Sequence, residues 1–151
     1  MTELDNIDKK ILNRIQSDFP VTTQPYLDIA IELGLTEEVV LKKIKQMKLN
    51  GIIRRIGGNF VPEKLGFIST LCAAKVPEEK IESFSMHVNK YPGVTHNYQR
   101  DNDYNVWFTF IAPSMDEIKN RVQAVSEATG INEILNLPAT KVFKIKAHFD
   151  L

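Results

Sequence analysis

Residues Gly93–Phe108 read GVTHNYQRDNDYNVWF. Two β-prone stretches, Val94–Arg100 and Tyr104–Ala112, flank a cluster of Asp and Asn, whose short polar side chains suit the tight backbone of a hairpin turn. With Asn102 and Asp103 as the turn, Asp101 pairs with Tyr104. Strand alternation then sets His96, Tyr98, Arg100, Asn105, Trp107 and Thr109 on one face. A three-residue turn pairs Arg100 with Tyr104 instead and sets His96 beside Phe108, so a slip of one residue redraws that face.

Outward from this hairpin, the flanking sequence supplies a strand and a helix on each side. Upstream, Phe67–Val76 is strand-like, and Pro77 opens a helix with Ile81, Phe84 and Val88 on its inner side before Tyr91-Pro92-Gly93 turns the chain. Downstream, Ser114-Met115-Asp116-Glu117 has the form of a capping box, and Ile118, Val122 and Val125 continue an amphipathic helix to Gly130. In the final region Phe143, Ile145, Ala147 and Phe149 alternate with Lys144, Lys146 and His148, which predicts the last strand. The order is βαββαβ, a ferredoxin-like sandwich with both helices on one face of the sheet. Trp107, Thr109 and Ile111 then fall on the uncovered face, where a second subunit is expected to cover them.

The first sixty residues have a different period. Ile7, Ile11, Leu12 and Ile15 follow a capping Asp5 at helical spacing, which predicts a helix from about Asp5 to Ser17, with Pro20 beyond it. A second helix over Pro25–Leu33 stops at Gly34. Thr36 caps a third, with Val40, Ile44 and Met47 on one side and Lys42, Lys45 and Lys48 on another, ending at Asn50-Gly51. Three short helices with a tight second turn predict a helix-turn-helix, and Gly51–Val61 (GIIRRIGGNFV) suits a hairpin or wing. The predicted architecture is α+β: a winged helix-turn-helix domain over residues 1–61, then a ferredoxin-like domain over 62–151 with Pro62–Gly66 as its connector.

Charge and composition narrow the function classes. Nineteen Lys/Arg balance nineteen Asp/Glu, and residues 1–60 carry nine and eight of them, so neither half is the polycation of a non-specific nucleic-acid binder. No apolar run approaches the ~18 residues of a membrane span, and the N-terminus is acidic with no signal-type core, so a cytoplasmic location is expected. The single cysteine, Cys72, lies in the apolar run Ile68–Ala74 and reads as a small core residue. No Cys/His cluster, glycine-rich phosphate loop or Ser-His-Asp spacing is present, so no permanent metal or nucleotide cofactor is expected.

The domain plan, with LDNIDKKILNRIQ at residues 4–16 and LKKIKQMKLNGIIRRIGGNF at 41–60, resembles the Lrp/AsnC family over nearly the whole chain. Gly93, Val94, Thr95, His96, Asn97, Tyr98, Arg100, Asp101, Tyr104, Asn105, Trp107 and Phe108 resemble a more specific branch of that scaffold, the sirohaem (siroheme) decarboxylases. That resemblance implies removal of carbon dioxide from two acetate side chains of sirohaem, giving 12,18-didecarboxysirohaem on an alternative route to haem or towards haem d1. It also implies a related second subunit, as a heterodimer or a homodimer. Iron enters only as part of the substrate.

The residue chemistry suits such a substrate. A polycarboxylate calls for cations of fixed geometry, and Arg54, Arg55 and Arg100 can each grip a carboxylate through a planar fork. Losing CO2 from an acetate on a pyrrole-type ring needs an electron sink, which protonation of the ring creates. Free histidine titrates near neutral pH, which makes His96 the candidate general acid, with Tyr98 as second candidate. His96 as ligand to the substrate iron is the alternative role. Tyr98, Tyr104, Trp107 and Phe108 offer aromatic surface to a flat macrocycle, and Asn97 and Asn105 add polar contacts. His87 and His148 are expected to be solvated.

The rival reading is an Lrp/AsnC-type DNA-binding regulator with a small effector. A helix-turn-helix reader aims the start of its third helix at base edges, yet here that start carries Glu37 and Glu38, unfavourable beside phosphates. Lys42, Lys43, Lys45 and Lys48 can still reach a DNA backbone. A tetrapyrrole carrier without catalysis is the third reading.

Overall fold

The computed structural model of the chain describes residues 3–145 and 148–151. It consists of two compact units, one formed by the residues up to Gly58 with the segment from Lys144 onward, the other by Asn59–Phe143.

The first unit holds three helices, α1 (Asn6–Ile15), α2 (Pro25–Leu33) and α3 (Glu37–Leu49). Each boundary has a local cause. The Asp5 carboxylate accepts the N–H groups of Ile7 and Asp8, and the Asp8 carboxylate accepts that of Asp5, closing a reciprocal capping box. α2 ends where Gly34 turns left-handed at φ 66°, a conformation open to glycine because it has no Cβ. Thr36 Oγ1 accepts the Val39 N–H at the start of α3. Ile11, Ile29, Val40, Ile44, Met47 and Ile53 form the dry core between them, and burying each such aliphatic side chain stabilises by about 1.5–3 kcal/mol.

Two expectations fail in this unit. The wing forms no strand pair: Ile53 is buried in the helical core, and Ile52 and Ile56 pack against it. The three isoleucines of the segment are thus committed to the helices, where a hairpin would need them across strands. Nor do the described residues of Phe143–Phe149 form a strand; Lys146 and Ala147 lie outside the described residues. Instead the Gln16 side chain donates to the Phe149 carbonyl at 2.8 Å and accepts the Phe149 N–H at 2.9 Å. Those backbone groups are satisfied by the side chain of the residue that caps the end of α1, not by a sheet ladder.

The second unit contains β1 (Ile68–Ala74), α4 (Ile81–Val88), β2 (Val94–Gln99), β3 (Val106–Ala112), α5 (Met115–Thr129) and β4 (Ile134–Leu137). Short 3-10 turns over Pro62–Leu65 and Glu78–Lys80 precede β1 and α4. The sheet is antiparallel in the order β2-β3-β1-β4, so the βαββαβ expectation holds, but its last strand is Ile134–Leu137, ahead of the alternating tail Phe143–Phe149 expected to form it. Ser114 caps α5 by accepting the Glu117 N–H. Phe84 and Val88 from α4 and Ile118 and Val125 from α5 pack on Cys72, Val106, Phe108 and Phe110, all essentially inaccessible. Burial pushes the Cys72 thiol up to about 12, which leaves it an inert core residue at neutral pH. Both helices thus cover one sheet face, and the alternate residues of β1, β3 and β4 form the other.

Candidate functional site

The hairpin of β2 and β3 is set by close backbone approach at its start. A Cβ on Gly93 would lie 2.1 Å from the Ile111 carbonyl oxygen, and the Gly93 carbonyl accepts the Ile111 N–H at 2.8 Å. Only glycine allows the chain this near the neighbouring strand. At the far end Asn97 pairs with Phe108, Tyr98 with Trp107 and Gln99 with Val106, while the Arg100 N–H donates to the Asn105 carbonyl at 2.8 Å. This is the register of the two-residue turn, and Asn102 Oδ1 accepts the Tyr104 N–H at 3.1 Å to close it.

Between Val94, which pairs with Phe110, and Asn97 the register shifts by one. Thr95 and His96 therefore both lie opposite Thr109, a β-bulge. The Thr109 hydroxyl accepts the His96 N–H at 3.2 Å and lies 2.7 Å from the Thr95 hydroxyl. Thr95 Oγ1 is in turn 3.0 Å from His96 Nδ1.

On this open face the rings of His96 and Tyr98 stand 5.9 Å apart, tilted by 33°. The Arg100 guanidinium sits 5.7 Å from the centre of the Trp107 ring, a cation over an aromatic face. The Trp107 indole N–H donates to the Tyr104 carbonyl at 2.6 Å, which orients the ring. His96, Tyr98, Arg100 and Trp107 thus come together as the two-residue turn requires. Leu71, Leu135 and Leu137 extend the same face across β1 and β4 and are partly exposed.

Two expected contacts are engaged elsewhere. The Asn97 amide points to the helix-covered side, donating to Asn89 Oδ1 at 3.0 Å and to the Ser85 carbonyl at 3.4 Å. The Asn105 amide donates to the Val76 carbonyl at 2.7 Å and accepts the Val76 N–H at 2.9 Å. It acts as a side-chain extension of the ladder between β1 and β3. A polar hollow of about 520 Å³ beside Arg100 is bordered by Glu78 and Asp101, whose charge disfavours a polycarboxylate there. Of the other histidines, His87 is half-buried beside the Tyr91 ring, and His148 is exposed, with Nδ1 3.2 Å from the Ser17 hydroxyl.

In the first unit, Arg54 and Arg55 border a cavity of about 500 Å³ whose apolar wall includes Leu12, Ile15, Phe19, Ile52 and Ile56. Both arginines are exposed. The charges of α3 are arranged differently. Lys43 is half-buried and held by Asp5 and by Asp8, whose Oδ1 lies 3.2 Å from Nζ. The hydrogen bond from Lys43 holds the Asp5 carboxyl down at about 2, and the same bond raises Lys43. Glu37 and Glu38 occupy the first turn of α3. Among the described residues no group of three His, Cys, Asp or Glu is placed to hold a metal ion.

The bulge, the Thr95–Thr109 contact and the Asn105 clip escaped sequence reasoning. Gly93 ahead of a strand was the available signal for the first, since glycine beside a strand often marks close backbone approach.

Comparison with known proteins agrees with this anatomy. Residues 64–144 match the AsnC-like ligand binding domain, and residues 8–54 match the siroheme decarboxylase NirDL-like HTH domain. By fold, then, the chain is an AsnC-type protein with a helix-turn-helix unit. It is 49% identical over 149 residues to the siroheme decarboxylase alpha subunit of Desulfovibrio desulfuricans, covering 99% of this chain and 86% of that one. The alpha subunit from Oleidesulfovibrio alaskensis is 51% identical over 149 residues, covering 99% and 90%. The crystal structure of the siroheme decarboxylase NirDL with an iron-uroporphyrin III analogue superposes with a TM-score of 0.69 at 34% identity, covering 95% of this chain and 48% of that one. The chain belongs to the siroheme decarboxylase family of subunits.

Proposed function

We propose that this chain is one subunit of an enzyme that removes CO2 from two acetate side chains of sirohaem to give 12,18-didecarboxysirohaem, working with a related second subunit. The observation that carries this reading is the open face of the hairpin, where His96, Tyr98 and the Arg100–Trp107 pair stand together in a chain of this family. Trp107 and Tyr98 offer flat apolar surface to a macrocycle, and Arg100 offers a charged fork to a carboxylate. Arg54 and Arg55 supply the same chemistry at the apolar cavity of the first unit.

In each step His96, as the imidazolium, gives its proton to the pyrrole carbon next to the one that bears the acetate, with Tyr98 as alternative donor. The positive ring then accepts the electron pair of the breaking bond between the methylene and the carboxylate, and CO2 departs. A proton from water completes the methyl group as the ring proton is returned to His96. Each acetate thus becomes a methyl group with net uptake of one proton and no redox change.

A regulator fits less well. In the element that would face DNA, Lys43 is bound to two carboxylates of α1, and Glu37 and Glu38 lie at the start of α3. The test is to incubate the purified chain with sirohaem without oxygen, alone and with its partner subunit, and to follow carboxyl loss by mass spectrometry. Successive losses of CO2 are expected. Unchanged sirohaem in both samples would sink the enzyme reading, and bound but unchanged sirohaem would leave a carrier.

A further inference from the structure

The bulge at Thr95–His96 brings together three polar groups that the proposed chemistry has not yet used. Thr109 Oγ1, on the neighbouring strand, accepts the His96 backbone N–H at 3.2 Å and meets Thr95 Oγ1 at 2.7 Å. Thr95 Oγ1 meets His96 Nδ1 at 3.0 Å. In a regular ladder adjacent residues point to opposite faces. Here the extra residue lets Thr95 lie beside the imidazole that follows it.

Each hydroxyl offers one proton and two lone pairs, so the possible arrangements can be counted. When His96 carries protons on both nitrogens, Nδ1–H donates to Thr95 and the Thr95 hydroxyl donates to Thr109. Thr109 then accepts two hydrogen bonds, using both lone pairs. When Nε2 has given its proton away, the neutral ring keeps its other proton on Nδ1, so Nδ1–H still donates to Thr95 and Thr95 still donates to Thr109. The same chain of hydrogen bonds therefore holds Nδ1 before and after proton transfer from Nε2, without moving the ring.

From this geometry we infer that Thr95, held by Thr109, is a positioning residue that ties His96 through Nδ1 and leaves Nε2 as the nitrogen that exchanges protons with substrate. The inference rests on the reading of His96 as general acid. A ring nitrogen's role is set by the partner of the other nitrogen, and a donor held at fixed orientation loses less to misalignment in the transition state.

The test uses the intact chain with its partner subunit and two substitutions at one position. Thr95→Val keeps the β-branched shape but removes the hydroxyl, and Thr95→Ser retains the hydroxyl. Thr95→Val is expected to lower kcat about 10- to 100-fold, by analogy with the loss of a hydrogen-bond partner that orients a metal-ligating histidine, with KM little changed. Thr95→Ser should recover most of the loss. Imidazole 15N spectra of the free protein give a readout independent of turnover: His96 shifts should change in Thr95→Val and return in Thr95→Ser. An unchanged His96 spectrum in Thr95→Val overturns the positioning role. A changed spectrum with unchanged turnover supports the Nδ1 tie and instead sinks His96 as the acid.

Discussion

The third helix of the first unit and the hairpin of the second treat their polar groups in opposite ways. On α3, Lys43 is held by two carboxylates of α1, and the helix begins with two glutamates. On the hairpin, His96 and Tyr98 are exposed, and Arg100 is paired with nothing but the face of Trp107 among its described contacts. The helix-turn-helix commits a central cation to internal pairing, whereas the strand face keeps an imidazole, a phenol and a guanidinium accessible.

The sharpest way to break this comparison is His96→Ala. Turnover should fall about 100- to 10,000-fold, the usual contribution of a general acid, while the melting temperature stays near that of the parent because the side chain is exposed. Retained turnover would move the acid elsewhere, with Tyr98→Phe as the next substitution to assay.

Phe108→Ala probes the opposite side of the same strand. It should cost about 3–5 kcal/mol in denaturant unfolding, because it empties a fully buried aromatic site against Phe84 and Phe110. A cost below about 1 kcal/mol would mean that the helix-covered face is not the core of the second unit.

Gly93→Ala sharpens the link between backbone and site. The added methyl meets the Ile111 carbonyl, so the start of β2 must shift, with an expected loss of about 1–3 kcal/mol. Turnover should fall beyond what the folded fraction explains, since the bulge that follows orients His96. Equal losses in stability and activity would uncouple the two.

The smallest effect is expected in the first unit and concerns acid. The Asp5 carboxyl is held at about 2 against an ordinary 3.8, so it binds protons less readily folded than unfolded. Its contribution is therefore fully present above about pH 4 and is lost as pH falls towards 2. Asp5→Asn keeps a capping side chain but removes the charge. Melting curves should separate the two proteins slightly at pH 7 and converge near pH 2; a constant gap would assign the difference to capping alone.

Much of this anatomy was legible along the chain because its causes are local. Asp5, Thr36 and Ser114 cap the helices they precede, Gly34 ends α2, and alternation over Val106–Ala112 separates the buried Phe108 and Phe110 from Trp107 and Thr109. The grouping of His96, Tyr98, Arg100 and Trp107 was legible only as one of two alternatives for the turn, between which the strand register decides. Asn97 and Asn105 resisted such reading, since the partners of their amides, Asn89 and Val76, are distant in sequence or in register.

Sequence by itself thus determined the helices, the βαββαβ order and the family, because caps, turns and hydrophobic period act over a few residues. Tertiary structure alone decided where the backbone of Phe149 finds its partners, why Gly51–Val61 makes no hairpin, and that Thr95 and His96 share Thr109 as their neighbour. Those outcomes depend on competition between segments far apart in the chain. Which partner satisfies a backbone group or an imidazole nitrogen is settled only when the whole core has formed.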